Sequence, residues 1–429
     1  MEPFPRVLVI SHTAFTTSDS MGSTLAAYFH QYPPEKVAQF FIKDMRPDIP
    51  VCFRYYCVTD NEVVNKLTNP FFKPIGKSML FTAEELKDTP GAAAKADKIG
   101  KKHRPWMHLV RNMVWASKVW NNRRFKTWIL DFDPQIIVLQ PGDFTYLYQL
   151  ARTLAKKLQI PLMIHQSEAY YLKDEEEHSL LYKIYRKAYK REFEKTMQYA
   201  SHCVYLCDAL KRDYEQYFTT SGTVIMKPTV LEPRRTEKAF DKQAVSFTYA
   251  GNLGPAVGRC EPLVEMGRAI KSLGYHIDVY TASRGDHLSE LTEQNGIRMH
   301  GAVSYDEVQR ILKQSDFVLH MENQSAWHKK EIKYAFSTKI ADMLSSGCCS
   351  ILYGSPDIAS IAYFKDNHLG CVIENQAELY DKIKELIDEE ALRESYIDAA
   401  LKQARVFHHL NTNGKQMNAI IRSICEGNT

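Results

Sequence analysis

Short strands that are apolar at nearly every position, each followed by a polar loop and an amphipathic helix, constrain this chain more than any other feature. A strand with no polar face must be buried on both sides, and that happens when helices cover both faces of a mainly parallel sheet. RVLVISH (6–12), the strand 136–140 and PLMIHQSE (161–168) set the pattern in the first half, and HCVY continues it. AVSFTYAGNLG, HIDVYTA, RMHGAV, FVLHM and SILYG repeat it in the second half. A chain of 429 residues exceeds one ordinary core and suits two. Between the halves, MKPTVLEPRRTEKAFDKQA (226–244) has no period and is interrupted by Pro228 and Pro233, the marks of a linker. The expectation is α/β: two doubly wound, Rossmann-like domains over 1–235 and 236–408, then a final helix within 409–429. Ligands of such sheets collect at the carboxyl ends of the strands.

Several functional classes are excluded at this level. No apolar run approaches the ~18 residues of a membrane span, and MEPFPRVLVISH enters a strand without the parts of a secretion signal. A cytoplasmic protein is expected. Its nine cysteines show no CxxC or Cys/His ligand spacing, so reduced thiols are expected and no metal site. A net charge of +4 is too small to argue for nucleic acid. Asp131-Phe132-Asp133 forms a DxD string, but it sits at a helix end before Pro134 and reads as a polar junction.

The stretch FSTKIADMLSSGCCSILYG (336–354) carries the most chemistry. Ser337 or Thr338 can cap a helix with Lys339 in its first turn, Gly347 can end it, and a buried strand follows. Free N–H groups, a positive dipole end and a lysine together suit phosphate. Asp342, three residues on, projects from nearly the same face and can accept hydrogen bonds from ribose hydroxyls. A nucleoside diphosphate is the ligand this pattern suggests.

The same stretch resembles the donor-binding helix of the retaining GT-B glycosyltransferases, in which a Ser-Lys pair precedes a helix with an acidic residue five positions before a Gly. The resemblance is good over 245–375 and architectural over 1–235. It implies a GT-B architecture whose two domains face a cleft, with the last helix crossing back to the first domain. It also implies that Ser337, Thr338, Lys339 and Asp342 bind the donor, and that the loop with Gly22 and Ser23 faces the donor phosphates. In the second domain it implies a donor role for the loop carrying Gly251, Asn252 and Arg259. Tyr334 stands where the family often has a first glutamate, and the lysine that usually accompanies the arginine after this strand is missing. Lys329 and Lys330 are the candidates to compensate.

Three residues are catalytic candidates. His165, at the carboxyl end of a predicted strand, matches the family's histidine near the transferred sugar. Glu322, at the end of FVLHM, would meet that sugar, and Lys339 would stabilise the leaving diphosphate. Glu168 is a weaker candidate than His165. The function expected is transfer of a hexosyl group, with retention, from a nucleotide-diphosphate sugar to a hydroxyl of a lipid-linked or saccharide acceptor in polysaccharide or glycoconjugate synthesis. No cofactor is expected. The alternatives are a sugar-nucleotide epimerase of the same architecture and a degenerate, non-catalytic GT-B binding module.

Segment 95–128 holds ten Lys/Arg, one acidic residue and four of the five tryptophans. Trp106, Leu109, Val110, Met113 and Val114 recur at helical spacing. One reading is a helix lying on an anionic membrane at the inner face. The other, which the habit of tryptophan stripes to pack inward favours, is a core helix with a solvated basic face.

Overall fold

The computed structural model describes residues 4–69, 71, 73–87, 105–173, 179–229, 233–236, 238–337 and 339–427. They form two compact units, Met1–Met226 with Leu410–Thr429, and Lys227–His409. Each is an α/β unit built on its own sheet, as the sequence pattern requires.

The first unit has eight strands, β1 (Val7–Ser11), β2 (Val37–Phe41), β3 (Arg54–Cys57), β4 (Lys77–Leu80), β5 (Ile136–Gln140), β6 (Leu162–Gln166), β7 (His202–Tyr205) and β8 (Gly222–Val224). Their order is β4-β3-β2-β1-β5-β6-β7-β8, parallel throughout except that β4 runs antiparallel to β3. β1, β2, β5 and β6 are buried at every position, as strands without a polar face must be. Each fully buried Val, Leu, Ile or Phe contributes ~1.5–3 kcal/mol. The direction of winding reverses between β1 and β5, which places the loops after these two strands at a switch point.

The second unit has six parallel strands, β9 (Phe247–Ala250), β10 (Ile277–Tyr280), β11 (Ile297–Gly301), β12 (Phe317–Met321), β13 (Cys349–Tyr353) and β14 (Cys371–Ile373), ordered β11-β10-β9-β12-β13-β14. Phe247, Val279, Phe317, Leu319 and Ile351 fill its core. Here the switch point lies between β9 and β12. The unit begins at Lys227, inside the expected linker, because Lys227 and Thr229 are tied to the other end of the unit. The Lys227 carbonyl accepts from His408 Nδ1 (2.9 Å), and Thr229 N–H donates to the His408 carbonyl (2.7 Å). The final helix, Leu410–Cys425, belongs to the first unit, where Met417, Ile421 and Ile424 join the core beside Leu25 and Phe29.

The basic, tryptophan-rich segment divides. Residues 95–104 lie outside the described residues. The helix Pro105–Ala116 turns Trp115 inward, where it stacks on Tyr146 (4.4 Å) and donates from Nε1 to Asp60 (2.7 Å). Trp120 and Trp128 are buried too, so three of the four tryptophans pack inward. Trp106, Val110 and Met113, spaced i, i+4, i+7, face outward instead, Met113 being 71% exposed. The helix Leu180–Met197, which packs against this one, exposes Leu180, Leu181 and Ile184. Among the described residues, no helix is long and apolar enough to cross a membrane.

Candidate active site

The second unit's switch point gathers five of its polar side chains. Tyr249 lies near the end of β9, Arg259 is the residue before the helix Cys260–Ser272, His320 lies in β12, and Glu322 follows it. Lys339 comes from the segment before the helix Ile340–Ser345. Arg259 grips Glu322 with two parallel bonds, Nε to Oε2 at 3.0 Å and Nη2 to Oε1 at 2.5 Å. The pair is nearly sealed, with side chains 11% and 2% exposed. His320 Nε2 stands 3.1 Å from Glu322 Oε1 but out of line for a hydrogen bond. Burial raises the Glu322 carboxyl, and His320 and Arg259 outweigh it, holding the group down to about 2. His320 itself is held down to about 4 by burial, with Lys339 adding to the fall, so at neutral pH Arg259 is the partner that matters to Glu322.

Lys339 departs from expectation in a way that sharpens its role. It is itself the capping residue of a helix of only six residues, and its side chain makes no capping hydrogen bond. Ser337 instead accepts from Ile340 N–H through its carbonyl (3.1 Å), and Thr338 lies outside the described residues. The helix stops at Ser345, before Gly347, whose φ of +78° and closeness to the Arg234 carbonyl suit glycine alone. Although the Lys339 residue as a whole is half-buried, its Nζ is covered, has no hydrogen-bond acceptor among the described residues, and lies 3.9 Å from the centre of the Tyr249 ring. A Cβ on Gly251 would stand 3.3 Å from that Nζ, so the missing side chain leaves the amine room. Burial lowers the amine well below the usual lysine range, Arg259 adds to the fall and Glu322 opposes it. Lys339 thus brings a second basic group to the loop after β9, where the sequence lacks the expected lysine. Lys329 does not fill that place. It lies in a short helix, Ala326–Ile332, where a loop was expected, and pairs with Asp357 (3.3 Å).

The other expected residues separate. Asp342 faces different neighbours from Lys339: its Oδ1 accepts from Tyr305 Oη (2.8 Å), and Oδ2 lies 3.8 Å from Lys227 Nζ. The i, i+3 geometry assumed a regular first turn, and Lys339 stands ahead of it. Asn252 shapes its loop, its Oδ1 accepting from Gly254 N–H (2.8 Å) and Ser283 Oγ (3.0 Å). In the first unit, Gly22 and Ser23 lie within the helix Ser20–Tyr28 and not in the loop before it. Asp19 caps that helix and accepts from Met21 and Gly22 N–H, so the amides expected to meet phosphate already hold a carboxylate. Gly22 is required for packing, since a Cβ there would meet the Ala14 carbonyl oxygen at 2.2 Å. His165 is interior, its ring packed on Tyr28 (5.3 Å) with no polar partner among the described residues, and burial holds it down to about 4. The Glu168 carboxyl is raised by burial.

Sequence reasoning missed the first unit's own switch point. His12 follows β1, and Asp143 and Phe144 follow β5. The His12 ring lies 5.5 Å from Phe144, with Nδ1 passing close to Gly142, whose φ is +58°. Phe144 carries the Arg111 guanidinium at 4.7 Å, Arg111 pairs with Asp60, and Tyr185 donates to Asp143 (2.6 Å). Their position directly after the two most apolar strands was the available signal. Among the described residues, no group of three His, Cys, Asp or Glu side chains could hold a metal ion. The DxD carboxylates are engaged elsewhere: Asp133, in the left-handed conformation that ends its helix, pairs with Arg6 (2.6 Å), and Asp131 lies 3.9 Å from Arg54.

Residues 262–419, which include Glu322, Lys339 and Asp342, match the model of a family described as glycosyl transferase-like. No curated protein sequence matches the chain. Solved structures share its fold end to end. Anabaena HepE in complex with UDP aligns with a TM-score of 0.62 at 11% identity, over 97% of this chain and 100% of that one. The sucrose-phosphate synthase of Thermosynechococcus elongatus aligns at 0.61 and 10% identity, over 98% and 99%. WaaG, a glycosyltransferase involved in lipopolysaccharide biosynthesis, aligns at 0.57 and 13% identity, over 97% and 99%. At such identities the structures establish that the chain has the GT-B fold, and residues 262–419 add a similarity to a family described as glycosyl transferase-like.

Proposed function

We propose that the chain transfers a hexosyl group, with retention, from a nucleotide-diphosphate sugar bound by the second unit to a hydroxyl of a saccharide or lipid-linked acceptor. The observation that carries this reading is the pair of basic groups, Arg259 and Lys339, converging on the loop after β9 at a switch point. A diphosphate leaving group needs negative charge stabilised as it develops, and two basic groups in a water-poor site meet that need without a metal. The Glu322 carboxylate orients Arg259, so we assign it a positioning role. Asp342, supported by Tyr305, is assigned to the donor ribose. The solved HepE complexes with UDP and UDP-glucose and the lipopolysaccharide role of WaaG favour a nucleotide sugar as donor and a polysaccharide or glycoconjugate as product.

The protein is further proposed to work in the cytoplasm, peripherally at the membrane's inner face. Trp106, Val110, Met113, Leu180, Leu181 and Ile184 are exposed on two packed helices, with Lys183, Lys187 and Arg191 exposed on the second. Exposed aromatic and aliphatic side chains beside lysines suit an anionic bilayer.

The test is thermal unfolding with a panel of nucleoside diphosphates and their sugars, in which a ligand at a hundred times its Kd adds about 2.7 kcal/mol. A stabilising nucleotide sugar, together with transfer that keeps the donor's anomeric configuration, is the expected result. No shift with any member overturns the donor assignment, and an inverted product overturns retention. Binding to anionic vesicles that weakens with salt is expected, and indifference to them at low salt removes the membrane from the proposal.

A further inference from the structure

An ammonium taken out of water is tolerated only when paired or hydrogen-bonded. Lys339 Nζ is covered and has no acceptor among the described residues. The groups around it come from three elements: Tyr249 of β9 beneath it, Arg259 ahead of the helix Cys260–Ser272, and His320 and Glu322 at the end of β12. The only carboxylate among them is already held by Arg259 through both oxygens. The Tyr249 face favours a cation, but by less than desolvation of a bare ammonium costs. Burial accordingly lowers this amine, the neighbouring Arg259 adds a smaller fall, and Glu322 compensates in part.

We infer that Lys339 is a neutral amine in the free protein and takes a proton from solvent as the donor's diphosphate arrives beside it, so that donor binding is coupled to uptake of about one proton. This rests on the donor site proposed above. The incoming anion supplies the countercharge that Glu322 cannot, and the ammonium then faces Tyr249 on one side and phosphate oxygen on the other. Release of the nucleotide returns the proton. Affinity for the donor therefore falls as pH rises, by about tenfold per pH unit between the amine's lowered value in the free protein and its restored value in the complex.

Isothermal titration with UDP-glucose, whose diphosphate diester does not titrate near neutrality, tests this in buffers of differing ionisation enthalpy between about pH 6.5 and pH 8.5, below the range in which the uracil N–H and an ordinary lysine titrate. The expected result is an uptake approaching one proton per ligand and a Kd that rises with pH. Lys339→Met should bind more weakly, with no uptake and a flat pH profile. Binding without proton uptake in the intact protein, or the same uptake in Lys339→Met, overturns the inference while leaving the donor site standing. If neither UDP-glucose nor any other nucleoside diphosphate or nucleotide sugar of the panel binds at any pH, the donor site itself falls, and the inference with it.

Discussion

Cutting the Arg259–Glu322 pair is the perturbation whose outcome the structure determines most closely. Both oxygens and two guanidinium nitrogens are engaged, and the side chains are 11% and 2% exposed, so neither charge can turn to water if its partner is removed. Glu322→Leu leaves the guanidinium with no countercharge, a loss of about 3–5 kcal/mol. Arg259→Met strands the carboxylate, but His320 at 3.1 Å can be protonated to meet it, so the loss should fall at the lower end of that range. The double variant, with neither charge, should lose no more than about 1 kcal/mol, giving a coupling energy of about 5–8 kcal/mol, the sum of the single losses less that of the double. In a unit of this size each kcal/mol shifts Tm by about 2–4 °C, so the single variants should unfold on the order of 10 °C lower. Because the two units need not unfold together, amide exchange of β9 and β12 should accompany calorimetry, so that the loss is located in the second unit. Single variants that each lose less than about 1 kcal/mol, or a double variant that loses the sum of both, would refute the claim that the pair is a buried unit.

Glu322 also predicts a response to acid. Its folded value is depressed, so its contribution is complete above the ordinary value of 4.5 and is lost as pH falls through about 2. Urea midpoints measured across that window should fall for the parent and less for Glu322→Gln. Asp342→Asn should raise the donor KM about tenfold with little change in kcat, the ribose contact being present in ground and transition states alike. A change confined to acceptor KM contradicts that role. Excess chelator should leave transfer nearly intact, since two basic groups serve the leaving diphosphate. Loss of activity restored by magnesium or manganese would show otherwise.

The αβ rhythm was legible because its cause is local. A strand apolar on both faces can satisfy only one environment, so β1, β5, β6, β9 and β12 fall where the pattern placed them. The stretch after β2 was not legible, because its strands are short and half its helices take their order from tertiary packing. The Asp60–Thr68 helix, for example, is joined to Pro105–Ala116 through Asp60, Arg111 and Trp115. The same segment shows why a stripe of tryptophans does not declare its partner. Trp106 and Trp115 differ in burial because Trp115 reaches Asp60 and Tyr146, residues far away in sequence.

At the candidate site, the residue types were readable and their pairings were not. Arg259 and Glu322 were each expected to meet ligand, yet they meet each other, since the parallel order β9-β12 brings the residues after both strands to one edge. Lys339 was found through its neighbours in sequence, and its setting depends on residues far from it. A lysine in the first turn of a long helix would be solvated and charged, an ordinary phosphate contact. Standing before a six-residue helix, it enters the sheet edge over Tyr249, loses its water, and finds the Glu322 carboxylate beside it already bound to Arg259. Its charge state therefore depends on what occupies the site. Tyr249 is the residue through which that dependence can be separated from simple charge attraction: Tyr249→Leu removes the aromatic face that favours the ammonium, and should move the pH window over which donor affinity falls to lower pH without steepening or abolishing it; a window that stays where it is in the same titrations contradicts the role given to the ring.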